Sequence, residues 1–133
     1  DVRPRNSDVT APAADALGDW MASLDRLRAT LPDDLLVLPS HGEPFRGVHV
    51  RLEALKRGHE LSLRRLERRL ADPARAVDVF ATLFGRAIGE GLLGMATGEA
   101  LAHLNYLERH GRARRSAGPD GADLWTSTPG AHE

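Results

Sequence analysis

Apolar residues recur at intervals of three and four through Leu17, Trp20, Met21, Leu24, Leu27 and Leu31. That spacing gathers side chains on one face of an α-helix. Asp15 is placed to cap its start and Pro32 to end it. Leu35-Leu36-Val37-Leu38 follows as an unbroken apolar run between Asp33-Asp34 and Pro39. A run so short and so apolar predicts a strand buried on both faces. Helix followed by buried strand is the pattern of a layered α/β unit. One strand makes no sheet, so its neighbours are missing from this chain unless it pairs with the lead-in or with another molecule.

Beyond the loop Ser40–Gly47, the residues Leu52, Leu55, His59, Leu63, Leu66 and Leu70 predict a second, longer helix. Glu53/Arg57 and Glu60/Arg64 are spaced to pair on its wet side. Asp72-Pro73 reads as an N-cap and first-turn proline opening a third helix, with Val77, Phe80, Leu83 and Phe84 as its apolar face. Four glycines between 85 and 94 interrupt the pattern. A fourth helix then runs to His110 with Ala96, Ala100, Leu104 and Leu107 inward, and Gly111 stands where a left-handed cap is wanted. Finally, Arg112–Ser116 and Ala122–Thr126 flank Gly118-Pro119-Asp120-Gly121, which predicts two short strands joined by a turn. Residues 1–15 read as a polar lead-in and Thr128–Glu133 as a frayed tail. The expected fold class is α+β, mostly helical, ending in the helices-then-hairpin outline of a winged helix.

Composition narrows the chemistry. The chain has 133 residues, the length of one domain or two small units, with a net charge of -1 and no cysteine. The charge argues against a generally nucleic-acid-binding surface. The missing thiols exclude disulfides and thiolate metal sites, so a metal would have to take His, Asp or Glu. No apolar run approaches the ~20 residues needed to span a bilayer, and no signal peptide is visible, so a cytoplasmic location is expected. The chain starts at Asp1 without an initiating Met, as a processed protein or a fragment would; the fragment is the favoured reading.

The most informative stretch is Leu38-Pro39-Ser40-His41-Gly42-Glu43-Pro44. His41 lies just past the end of the predicted strand, where α/β proteins place ligand and metal sites. Gly42 allows a turn that leaves the imidazole accessible. The residues alone leave two readings open, a solvated or hydrogen-bonded surface histidine and a metal ligand. The stretch resembles the late PGHG metal-ligand segment of metallo-β-lactamase-fold hydrolases, with Ser40 where Gly is usual. The resemblance continues through Leu17-Gly18-Asp19-Trp20-Met21-Ala22-Ser23-Leu24 upstream. Downstream it takes in Arg51, His59, Arg64-Arg65 and Ala102-His103-Leu104-Asn105-Tyr106-Leu107-Glu108-Arg109-His110-Gly111, covering the chain from about Ala16 to Trp125.

That resemblance implies an αβ/βα sandwich with one or two divalent metal ions, zinc first among them, that hydrolyses an ester or thioester of a small molecule through a metal-activated water. Residues 1–48 would be the C-terminal part of the catalytic domain, and residues 49–133 an appended winged-helix-like domain. His41 would be the last histidine ligand, and Asp1 is a candidate for the family's metal-bridging aspartate. The family's other ligands come from an earlier His-x-His-x-Asp-His motif and an intervening His. The histidines here are 41, 49, 59, 103, 110 and 132, with no His-x-His. No catalytic residue is therefore expected within this portion, which should be inactive without the missing N-terminal catalytic part as its partner. An exposed Leu35–Leu38 strand would invite a homodimer.

The other candidates read more simply as structure. His49 and His59 could line an active site, but His59 falls between Leu55 and Leu63 on an apolar face, where a hydrogen-bonded packing role is expected. His103 and His110 read as structural or solvated. Arg51–Arg69 carries seven Lys/Arg against three Glu, a net +4. An anion-binding face is the sharp reading and a solvated face the favoured one. Nucleic-acid binding is the rival function. The fourth helix, 92–110, bears only Glu99, Glu108 and Arg109 as charges, poor equipment for a recognition helix. Arg112, Arg114 and Arg115 on the wing speak mildly for it.

Overall fold

The computed structural model describes residues 15–85 and 88–129. It is α+β and mostly helical: α1 (Ala16–Thr30), α2 (Val48–Arg69), α3 (Phe80–Phe84) and α4 (Leu93–Arg109) precede a two-stranded sheet of β1 (Ala113–Ala117) and β2 (Asp123–Ser127). No helix among the described residues is long and apolar enough to cross a membrane. The chain divides into two compact units, Gly18–Leu61 and Ser62–Glu133 with the residues before Gly18.

In the unit Gly18–Leu61, Leu24 of α1 packs with Val48 and Leu52 of α2, and Leu31 and Val37 close the cluster. Trp20 and Leu27, predicted for the inward face, stand 47% and 42% exposed. Glu53 pairs with Arg28 of α1 and not with Arg57 one turn along, while Lys56 reaches Asp25 at 2.9 Å. Such exposed pairs set helix alignment more than stability. The expected buried strand is not buried within this chain. Leu35, Leu36 and Leu38 are 40%, 49% and 74% exposed, and Val37 makes a lone antiparallel bridge to Phe45. Among the described residues no second strand pairs with it, so of its four apolar side chains only Val37 packs on the local core.

The other unit is built on the second part of α2. Leu63, Leu66 and Leu70 are fully buried there, as are Leu104 and Leu107 of α4 and the side chain of Val79. Ala96, Ala100 and Ala102 keep the buried side of α4 small. The third helix begins later than Asp72-Pro73 predicts. Ala74 instead exchanges backbone hydrogen bonds with Trp125 (N···O 3.0 and 2.9 Å). With its amide and carbonyl spent on β2, Ala74 cannot enter a helix, and a 3-10 turn starts only at Ala76. Val79 becomes the buried residue and Val77 is left 47% exposed. The Asp78 carboxylate accepts from the Arg75 backbone amide and its guanidinium. That bond and charge hold Asp78 below the usual carboxylate range and Arg75 above the usual guanidinium value.

The hairpin pairs Arg115 with Trp125 and Ala113 with Ser127, and each strand starts one residue later than predicted. Its turn closes through Gly121 N–H to Gly118 O (3.1 Å) and Gly118 N–H to Ala122 O (2.7 Å). Ser127 N–H then donates to Leu70 O at 2.8 Å, fastening β2 to the end of α2. Upstream, α4 ends as its sequence predicts. Gly111 has φ +71°, Arg112 N–H donates to Leu107 O (2.7 Å), and Gly111 N–H donates to Glu108 O (3.1 Å). These two bonds are a Schellman cap, which satisfies carbonyls the helix leaves open. A Cβ on Gly111 would meet no neighbour within 4 Å, so substitution is penalised through the backbone alone. Gly111→Ala should destabilise the fold by about 1–2 kcal/mol, and Gly111→Asn by less. Thermal unfolding of both variants checks this; equal melting temperatures for all three proteins would refute the cap.

Candidate metal-ligand loop

The Val37–Phe45 bridge is the base of the loop that carries His41. Val37 N–H donates to Phe45 O (2.8 Å) and Phe45 N–H to Val37 O (3.1 Å). Residues 38–44 project between these closed ends, with His41 exposed near the tip and Gly42 at φ +101°. An L side chain rarely adopts that φ, so the turn after His41 requires glycine there. Below the bridge the anchoring is dense. The Arg51 guanidinium lies over the Phe45 ring, 5.6 Å from its centroid, a favourable cation–π arrangement. Arg46 donates to Asp34 O, and Gly47 N–H to Asp33 O at 3.2 Å.

Asp33 and His49 form the second part of this framework. The Asp33 carboxylate accepts the His49 backbone N–H at 3.0 Å in the first turn of α2, the task of an N-capping side chain supplied from a distance. The His49 ring takes Leu31 O through Nε2 at 2.6 Å and has Nδ1 3.8 Å from Asp33. A hydrogen bond to a carbonyl fixes Nε2 as the protonated nitrogen. His49 therefore ties the end of α1 to the start of α2. Sequence reasoning missed Asp33, and no local signal announces it, because its partner stands sixteen residues on.

The remaining described histidines have contacts of their own. His59 is half-buried on α2. His103 is 6% exposed, with Nδ1 2.8 Å from Glu99 O. His110 stacks on Tyr106 and bonds Asp15 through Nε2 at 3.1 Å. Asp1 and His132 lie outside the described residues. Among the described residues no three His, Asp or Glu side chains gather in a way that would hold a metal ion. Metal coordination needs three or four donors, so His41 and its neighbours do not fit a metal ion by themselves.

The wing arginines are largely engaged. Arg112 grips the buried Glu67 carboxylate through Nε (3.3 Å) and an Nη (3.0 Å). Arg115 lies 3.5 Å from Glu108 and 3.7 Å from Asp123. Only Arg114 of the three projects into solvent.

Residues 63–128 match the family described as metallo-beta-lactamase-like, C-terminal domain. No curated protein matches the chain. Among solved structures, a beta-lactamase domain protein from Burkholderia ambifaria is 36% identical, with a TM-score of 0.83 over 90% of this chain and 35% of its own. A metallo-beta-lactamase family protein from Thermus thermophilus is 31% identical, with a TM-score of 0.70 over 86% of this chain and 34% of its own. The chain thus spans about a third of the length of each. The helices-then-hairpin unit carries the metallo-beta-lactamase-like C-terminal domain, and with the solved relatives it marks the chain as a C-terminal portion of metallo-β-lactamase fold.

Proposed function

We propose that the chain serves as the C-terminal portion of a metal-dependent hydrolase acting on an ester or thioester of a small molecule. The observation that carries this reading is the His41 loop, an exposed imidazole on a turn pinned at its base, in a chain of this fold. Residues 1–48 would complete the catalytic domain and residues 49–133 form the appended helical domain, with the rest of the parent protein as the necessary partner. His41 is assigned as one ligand to a divalent ion, zinc being the first candidate since imidazole suits it. Such an ion, when bound, lowers the pKa of its water and polarises the substrate carbonyl. The contribution of this chain is narrower. The Val37–Phe45 bridge, the Gly42 turn and the Arg51–Phe45 stack hold the backbone of the loop that carries His41, and a ligand on a pre-set backbone loses less freedom on binding.

The charges speak against the nucleic-acid reading. α4 turns Ala100, Leu104 and Leu107 inward and offers little cationic surface, while Arg112 and Arg115 are occupied by carboxylates. His41→Ala in the full-length protein should lower bound metal and lower ester or thioester hydrolysis by at least about tenfold. Elemental analysis of purified wild type and variant decides the matter: equal metal content removes His41 from the ligand set.

A further inference from the structure

In the unit Ser62–Glu133, an open groove of about 500 Å³ runs between the last turns of α2 and the residues that leave β2. Arg64 and Arg68 form one wall. They are one helical turn apart, about 6 Å along the axis, both exposed, and neither makes an ion pair with a described residue. The carboxylate between them, Glu67, also lines the groove but is 6% exposed and bound by two nitrogens of Arg112. Its charge is thereby offset from behind, and no other described carboxylate lines the groove beside the two guanidinium groups. On the opposite wall, Ser127 and Thr128 have their backbone amides occupied by Leu70 O (2.8 Å) and Arg112 O (3.1 Å). Those bonds hold the backbone that carries the two hydroxyls, which face no acceptor among the described residues. Ala71 and Pro129 add apolar surface.

Two guanidinium groups and two hydroxyls over a partly apolar floor match a compact dianion attached to an apolar body. Arginine favours phosphate because its planar fork donates two parallel hydrogen bonds. We infer that this groove binds the terminal phosphate monoester of a small molecule, with Arg64 and Arg68 on the phosphate and the adjoining apolar part against Ala71 and Pro129. The site stands independently of the metal reading at His41.

Phenyl phosphate is a suitable probe, since it joins the dianion to an apolar ring. Titrated into the full chain and followed by amide chemical shifts and calorimetry, it should bind at the α2–β2 groove and more tightly than inorganic phosphate. The double variant Arg64→Gln/Arg68→Gln should weaken it by about tenfold or more, with its melting temperature unchanged. Arg114→Gln, at an exposed arginine of β1 that does not line the groove, should leave the affinity intact. Three results overturn the assignment: no binding at millimolar phenyl phosphate, equal affinity in the double variant, or equal loss in Arg114→Gln. A short single-stranded oligonucleotide that binds the groove more tightly than phenyl phosphate also overturns it, in favour of nucleic acid.

Discussion

Trp125→Ala should destabilise the unit Ser62–Glu133 by about 3–5 kcal/mol, the range for removing a buried aromatic side chain. The indole is 3% exposed, and its residue is the point where two tertiary links meet. Its backbone pairs with Arg115 across the hairpin and with Ala74 on the other side. A cavity there therefore loosens the hairpin and the segment leading into α3 together. The indole Nε1–H is buried with no acceptor among the described residues, so its polar end carries a desolvation cost. Trp125→Phe, which keeps a ring and discards that donor, should lose only about 1–2 kcal/mol. Urea unfolding followed by far-ultraviolet circular dichroism separates the two. Comparable losses for both variants would mean that the hydrogen of Nε1, and not ring packing, holds the site.

Glu67→Ala should cost about 2–3 kcal/mol, since it leaves the Arg112 guanidinium three-quarters withdrawn from water with no counter-charge. Removing both partners should cost less than the two single losses combined, because no unpaired charge then remains. The coupling in the Glu67→Ala, Arg112→Ala cycle is expected to exceed about 1 kcal/mol. Additive losses would show the pair to be energetically idle despite its burial. The measurement also bears on the α2–β2 groove, whose positive balance depends on Arg112 holding Glu67.

The helices of this chain were legible where their instructions are local. The leucine spacing of α2 is read directly off the sequence, and Leu63, Leu66 and Leu70 are buried as it demands. Gly111 ends α4 because a left-handed residue is required within one turn of the helix. Asp72-Pro73 carries equally good local chemistry for starting a helix, yet Ala74 is diverted to Trp125, a partner no local pattern reveals. The hairpin was located by Gly118-Pro119-Asp120-Gly121, while its strand limits moved by one residue, since Trp125 is held from both sides and must face inward to pack. At the candidate metal loop, the motif singled out His41 as a proposed ligand and Gly42 as a turn, and the turn is present at φ +101°. What braces the loop, Asp33 on His49 and Arg51 on Phe45, depends on contacts across the unit that spacing alone does not encode.

The Ala74–Trp125 bridge also bears on the order in which this unit assembles. Its partners stand about fifty residues apart, and the entropy of closing a loop rises with the length enclosed. α4 and the turn of the hairpin need only neighbouring residues and can form on their own timescale. The bridge gains nothing until both are in place, so it is expected to form after them. Until then β2 has one free edge, and that is the interval in which a nascent chain is most open to pairing with the wrong strand.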